Sequence, residues 1–366
     1  MKKRLVILVA VVLCVAMLAS CSAQTPAASS AAASQAPVAE SSAAPASQAA
    51  AETSAAASDS SKTEGFSVGY VCNFMSHEWY QNVTKGAKQR AEELGISLEI
   101  ADANQDANQQ VSYAENFIAK GVDVLALTPV DAKALGPVIE EAKKAGIIVI
   151  TESNPVGGEA TCVGADNKGA GKQAGEWFGK YGKDNNIDLN FLIVGFPNFE
   201  DCRLRVEGFK EGLEASGAKY TIVQEVDSQG GKEKALQVST DACTANPNIN
   251  AIFGINDDST QGGIQGYKSA GLDESKLQAV GFGLEGVVGR EALLNKTPIV
   301  AELAMFPAFV GAGMIDAAQA AMNGEELPER YLTPTTMVTP ETYTNFYTQN
   351  GDNWDLNFDA VRALMK

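Results

Sequence analysis

Gly281-Phe282-Gly283-Leu284-Glu285-Gly286 spells a G-x-G-x-x-G turn directly after an apolar, strand-forming run, and Glu302 follows at about the spacing of an acid that binds a ribose. In a dinucleotide-binding unit such glycines let the backbone approach a pyrophosphate, and the chemistry would be hydride transfer on a nicotinamide or flavin. Position argues against this extracellular oxidoreductase: the fingerprint opens the first βα unit of its domain, whereas this turn sits in the last of four. A glycine-rich turn at the mouth of a cleft is the preferred reading. Other catalytic constellations are missing. His77 is the one histidine in the chain, which leaves little room for a Ser-His-Asp triad, and neither a G-x-S-x-G elbow nor a Walker loop occurs. Six cysteines are present, none in a C-x-x-C pair, so a structural zinc site has no plausible ligand set. The expectation is a protein that is not an enzyme and carries no cofactor or metal.

The elements that must position these residues alternate strictly. Val68 to Val71 reads as a strand, and His77 to Leu94 as a helix with Tyr80, Val83, Ala87, Ala91 and Leu94 on one face and Gly95 at its end. Strands follow at 96–101, 122–127 and 147–151, with helices at 108–120 and 131–145, each stopped by a glycine. The order then repeats. Phe191 to Val194 lies about 124 residues after the first strand and Thr221 to Val226 about 124 after the second; Ala251 to Phe253 and Gln278 to Val280 follow at slightly longer offsets. Helices fill the gaps at about 200–215, 232–245 and 259–270. Strands alternating with helices of this length make parallel βαβ units. The predicted fold class is α/β, two doubly wound parallel-sheet lobes with a ligand cleft between them. Ligands in such sheets sit beyond the carboxyl ends of the strands, here 72–80, 128–131, 152–154, 196–201, 256–259 and 283–285.

The ends of the chain speak of location. Lys2, Lys3 and Arg4 precede an apolar run from Leu5 to Leu18, too short for a stable membrane span, which reads as a signal peptide over residues 1–20. Leu18-Ala19-Ser20-Cys21 resembles a bacterial lipobox, in which the Cys21 thiol takes a diacylglycerol. Residues 21–64 are mostly Ala, Ser, Pro, Gln and Thr, with no aromatic residue; they cannot bury enough apolar surface to fold and read as a disordered tether. The expected location is the extracytoplasmic face of the cell membrane, lipid-anchored, on a Gram-positive surface. The net charge is −17, and loss of the basic leader makes it more negative. Such a surface excludes nucleic acid, whose phosphates need clustered Lys and Arg. Cys72, Cys162, Cys202 and Cys243 are read as buried free thiols.

Several stretches together resemble the ribose-type periplasmic sugar-binding proteins, a type I solute-binding fold that serves ABC importers. They are Ala145-Gly146-Ile147-Ile148-Val149-Ile150-Thr151, Gly164-Ala165-Asp166-Asn167, Arg203-Leu204-Arg205-Val206-Glu207-Gly208-Phe209, Ala251 to Asp257 and Ala279-Val280-Gly281-Phe282. The likeness spans about Phe66 to Pro340. LacI-type repressors share the core but open with a helix-turn-helix, which this chain replaces by a lipoprotein signal. The resemblance implies a three-strand hinge crossing near Asn167, Met305 and Thr333, and lobes of residues 65–167 plus 306–333 and 168–305 plus 334–366.

It also implies site residues. An aromatic pair that sandwiches the sugar falls on Trp79 and Tyr80, although both could serve the core. His77 and Asn73 match small polar contacts. The acid and arginine that the family places after its fourth strand fall on Ser153 and Asn154. Asp201 lies at a strand end. Arg205 matches an arginine that donates to hydroxyls, the alternative being a surface ion pair with Glu207. Asn256 matches a hydroxyl-reading asparagine, while Asp257 either accepts hydroxyl protons or caps the next helix. Where the family has a carboxylate after Val-Gly-Phe, Gly283 stands, with Glu285 as its substitute. Met305 replaces a glutamine, and Gly230 an aromatic residue. Fewer ribose-type contacts survive than a ribose binder needs, so the implied ligand is another monosaccharide or a polyol. The resemblance implies a monomer that captures it by hinge closure and passes it to the permease and ATPase of an importer. A sugar or quorum-signal receptor serving a membrane sensor would look the same in sequence. On this reading Trp79→Ala and Arg205→Ala each abolish binding and spare the fold. The tail from about Glu341 is expected to pack on a lobe.

Overall fold

In the computed structural model, which describes residues 65–295 and 297–365, the first pass of the alternating pattern forms β1 (Ser67–Cys72), α1 (Glu78–Leu94), β2 (Ser97–Asp102), α2 (Ala107–Lys120), β3 (Val124–Leu127), α3 (Ala132–Lys144), β4 (Ile148–Glu152) and β5 (Thr161–Ala165). The second pass forms α4 (Asn167–Asp184), β6 (Leu189–Gly195), α5 (Glu200–Ser216), β7 (Tyr220–Asp227), α6 (Lys232–Ala245), β8 (Ala251–Gly254), α7 (Asp257–Ser269), β9 (Gln278–Gly283), α8 (Val287–Leu294) and β10 (Ile299–Ala304). Then come α9 (Pro307–Met322), β11 (Arg330–Thr333), β12 (Thr336–Val338), the hairpin β13 (Tyr347–Asn350) and β14 (Asn353–Leu356), and α10 (Phe358–Arg362).

Local chemistry sets the helix ends. Asp106, Asp131 and Asp166 accept backbone N–H bonds at the starts of α2, α3 and α4, and Gly95, Gly121 and Gly217 close α1, α2 and α5 in the left-handed conformation.

Six strands form each sheet, in the orders β2-β1-β3-β4-β5-β11 and β7-β6-β8-β9-β10-β12. The first is parallel throughout; in the second, β12 alone runs antiparallel, against β10. The shared order 2-1-3-4-5 reverses direction beside the first strand of each lobe, and at that switch the strand ends open a crevice. The two-lobe α/β fold expected from the sequence is therefore present. Three segments join the lobes: Asp166 between β5 and α4, residues 305–306 between β10 and α9, and residues 334–335 between β11 and β12.

The lobes are closely packed inside. Along α4, Gly171 and Gly175 lie against the Arg205 and Phe209 carbonyls of α5, where a Cβ would collide. Rings of Phe178, Phe191, Phe209, Phe253 and Phe282 run through the second lobe, with Phe209 and Phe253 stacked at 3.9 Å. The tail has a defined place. Phe306 crosses between lobes with φ +53°, a conformation that costs a non-glycine residue roughly 1 kcal/mol. Its ring is fully buried and packs on Phe346 at 5.3 Å and Tyr347 at 6.3 Å, while Phe309 meets Phe358 at 6.1 Å. The tail is thus an aromatic pad over the second crossover, and Lys85 on α1 reaches Asp355 of its hairpin at 3.6 Å. Cys72, Cys162, Cys202 and Cys243 are buried and free.

Candidate functional site

Chain reversal at β1/β3 and β6/β8 brings two sets of loops face to face. From the first lobe come Asn73 after β1, the start of α1, and the end of β4. His77 is the N-cap of α1: its Nδ1 accepts the Trp79 N–H at 3.2 Å. The same Nδ1 lies 3.8 Å from Glu285 Oε2 across the cleft. A nitrogen that accepts a hydrogen bond carries no proton, so this approach is not an ion pair, and burial further lowers the imidazole pKa.

The two aromatic residues part company. Neighbours on a helix project about 100° apart. Trp79 is buried at 8% exposure within the core, with its indole N–H beside Glu152. Tyr80 is half-buried, and its hydroxyl accepts from Asn73 Nδ2 at 3.0 Å. Tyr80 is therefore the ring available as a wall, and Trp79 its support. The expectation that Trp79→Ala spares the fold is corrected accordingly, because the indole fills the core.

A residue missed in the sequence lies beside them. Glu152 ends β4, is fully buried, and accepts from Ser153 Oγ at 2.7 Å. Ser153 holds φ +65°, which turns the chain sharply after the acid. The acid sought at Ser153 thus stands one residue earlier, with Ser153 as its donor and Asn154 in the turn behind it. Burial pushes the Glu152 carboxyl up to about 7, opposed by the Ser153 and Thr128 hydroxyls and the Trp79 indole. Alternation along a buried strand, which hides Glu152 among apolar neighbours, concealed it.

From the second lobe, Asp201 lies in the first turn of α5 and Arg205 one turn on. Arg205 Nε donates to Asn167 Oδ1 at 2.8 Å and Nη1 to the Ile255 carbonyl at 2.8 Å, with the guanidinium 4.7 Å above the Phe282 ring. Glu207 pairs instead with Lys168 and Arg203, so the surface pairing considered for Arg205 does not form. Burial raises the Asp201 carboxyl pKa, countered by Arg205 and by Arg330 of β11.

Asn256, and not Asp257, caps α7: its Oδ1 accepts the Ser259 N–H at 2.8 Å while Nδ2 donates to the Gly230 carbonyl at 3.0 Å. Its amide is already engaged within the lobe, which corrects the expectation of a free hydroxyl reader. Asp257 turns inward, and its Oδ2 accepts the Glu285 N–H at 2.8 Å. Glu285 stands at the cleft between Arg205 and His77, and burial beside Asp257 raises its pKa well above the carboxylate range. Gly283 turns at φ +121° with the Glu285 side chain against it. Met305 is 3% exposed and packs in the core, its N–H bonded to the Gly283 carbonyl at 3.0 Å; it braces the crossover and offers the cleft little surface.

The dinucleotide reading is overturned. Glu302 is fully buried beneath Gly281, whose missing side chain makes room for its carboxyl, and the Glu78 carboxyl fills the space at Gly286. A pyrophosphate would meet two acids where it needs bare N–H groups. Among the described residues, no group of three or more His, Cys, Asp or Glu is placed to hold a metal ion, and no helix is long and apolar enough to cross a membrane. Cys21 and the tether lie outside the described residues.

Residues 68–326 match the family model described as periplasmic binding protein domain. The chain is 26% identical over 284 residues to the ribose import binding protein of Bacillus subtilis, covering 77% of this chain and 90% of that one. It is 31% identical over 286 residues to the galactofuranose-binding protein of Escherichia coli, covering 75% and 88%. A solved periplasmic solute-binding protein of an ABC transporter from Actinobacillus succinogenes, with bound D-allose, aligns with a TM-score of 0.69 and 26% identity over 77% of this chain and all (100%) of that one. The likeness drawn from the sequence motifs therefore holds. With one family model matching most of the folded region and a two-lobed architecture shared with a solved relative, the chain belongs to the periplasmic binding protein family.

Proposed function

We propose that this chain captures a monosaccharide or polyol outside the cytoplasmic membrane and delivers it to the permease and ATPase of an ABC importer. One observation carries the reading: Tyr80 and Glu152 of one lobe meet Asp201, Arg205 and Glu285 of the other across the interlobe face, close enough to shift one another's protonation. A half-buried ring suits the C–H face of a sugar. Carboxyls accept hydroxyl protons, and the guanidinium fork donates to paired hydroxyl oxygens. The relatives' names, which speak of ribose and galactofuranose, and the D-allose in a solved relative support this ligand class. Ligand that touches both lobes favours the closed form by its differential contacts. The protein acts by binding and not by catalysis; it works as a monomer, and Cys21 holds it by a lipid to the outer face of the membrane. Cys21→Ser is expected to release it into the medium.

The test is thermal denaturation of residues 64–366, stripped of co-purified ligand by unfolding and refolding, against monosaccharides, polyols, sugar acids and nucleosides. A ligand at a hundred times its Kd adds about 2.7 kcal/mol of stability. A raised midpoint with one sugar or polyol is expected. A shift with nucleosides alone, or with nothing in the panel, rejects the ligand class.

A further inference from the structure

Apart from Glu285, the Gly281–Gly286 turn has no part in ligand contact as described above, yet each of its glycines answers to a carboxyl. Gly281 makes room for Glu302 and Gly283 for Glu285; Gly286 makes room for Glu78, and that residue belongs to the other lobe. Glu78 opens α1, and its Oε1 accepts the Val287 N–H at 2.5 Å and its Oε2 the Val288 N–H at 3.3 Å. These are the first amides of α8, which has no side-chain cap of its own because Gly286 occupies the cap position. A carboxylate at a helix N-terminus satisfies free N–H groups and complements the helix dipole. Here it is supplied across the cleft. One turn further along α1, Asn82 Nδ2 donates to the Glu285 carbonyl at 2.8 Å, a second bond between the lobes. Val287 and Val288 are 46% and 41% exposed, so the contact lies at the rim, outside the space between Tyr80, Glu152 and Arg205.

We propose that Glu78 and Asn82 form a closure clasp: α8 is capped when the lobes meet and uncapped when they part, so the clasp slows ligand release without touching the ligand. Glu78 and Asn82 are then positioning residues that set residence time, and the G-x-G-x-x-G spelling records the room this clasp needs. The proposal rests on hinge closure as proposed above.

The experiment measures association and dissociation rates with D-ribose and D-allose as probes, together with amide hydrogen exchange at Val287 and Val288. Glu78→Ala should speed dissociation about tenfold, the size of one charge-assisted hydrogen bond, and leave association unchanged. Glu78→Asp should restore part of the effect. Gly286→Ala, whose Cβ would overlap the Glu78 carboxyl, should also weaken binding, and adding Glu78→Ala to it should cause no further loss, since both changes break the same contact. Val287 and Val288 amides should lose protection in Glu78→Ala with circular dichroism unchanged. Wild-type dissociation together with wild-type amide protection in Glu78→Ala overturns the clasp. If neither probe binds the wild-type protein, the sugar reading suffers and exchange is measured with whichever compound raises the thermal midpoint of the protein: protection lost in Glu78→Ala supports the clasp, and protection retained rejects it.

Discussion

The first lobe ends β4 on one buried acid, Glu152, whereas the second gathers three, Asp257, Glu285 and Glu302, behind the ends of β8, β9 and β10. The strand orders match, and the treatment of charge does not. Glu152 Oε1 accepts from Ser153, with the Thr128 hydroxyl and the Trp79 indole beside the carboxyl, and Oε2 is left without a hydrogen-bond partner. The trio has fewer: Asp257 Oδ2 accepts the Glu285 N–H and Glu285 faces Arg205, but Asp257 Oδ1 and both Glu302 oxygens are buried without a donor, and the Asp257 and Glu302 carboxyls meet each other. Burial raises all three pKa values, helped at Glu285 and Glu302 by the Asp257 charge and at Asp257 by Glu78 and Asp258. The Asp257 carboxyl is pushed up to about 7, as Glu152 is, while Glu285 and Glu302 are held well above the carboxylate range. The lesson is that equal topology leaves electrostatics free, because the polar atoms beside a strand end come from loops.

The largest effect that would sharpen this contrast comes from Trp79→Ala, which removes a core ring and a donor to Glu152 together. A loss of about 3–5 kcal/mol is expected in urea unfolding; a loss confined to ligand affinity would return Trp79 to the cleft. Next is Arg205→Ala, which strips the one guanidinium lying between Asp201 and Glu285. Roughly a hundredfold weaker sugar binding is expected by calorimetry, as for a buried arginine anchor, and unchanged affinity would break the account of the second lobe. Gly281→Ala drives a methyl into the Glu302 carboxyl and should cost about 1–3 kcal/mol, again read in urea, with no loss if the carboxyl has room to move aside.

Titration separates the lobes directly. Each of these acids is protonated more readily folded than unfolded, so the folded state binds the extra proton once the pH passes the unfolded value. Stability then falls by about 1.4 kcal/mol per pH unit for each such group. For Glu152 the fall runs from about 4.5 to about 7, where the folded carboxyl itself ionises. Glu152→Gln should flatten the profile within that window, and Glu302→Gln should flatten it further toward alkaline pH. Identical slopes in wild type and both variants would show that neither burial is felt. The smallest effect is Asp355→Ala, which removes an exposed ion pair with Lys85 worth less than about 0.5 kcal/mol. A large effect there would mean that the tail is held by charge and not by its aromatic pad.

Legibility followed exposure. Helices with one wet face, such as α1, α2 and α3, announced themselves by period and closing glycine, and their ends were placed within a residue or two. The helix α9 is buried on nearly every side, from Pro307 and Phe309 to Ala318, and shows no stripe to read. In α4 the glycines that let α5 approach also lower helix propensity, so its best packing feature argued against it locally. Of the candidate residues, Arg205, Asp201, Tyr80 and Glu285 lie near one another, whereas Glu152 was missed by one position and Asn256 took the helix cap that Asp257 had been offered. The Glu152 error turns on where a loop bends, which Ser153 decides with one positive φ.

By itself the sequence determined the alternation of strands and helices and its repetition, because hydrophobic period and capping are local properties. It also argued against zinc and triad chemistry, through one histidine and no C-x-x-C pair. Tertiary structure decided which acids are buried, which ring faces the cleft and which carboxyl caps a helix in the opposite lobe. Those outcomes depend on desolvation and on contacts between residues far apart in the chain, as when Glu78 meets Val287, and such energies exist only once the two lobes are folded against each other.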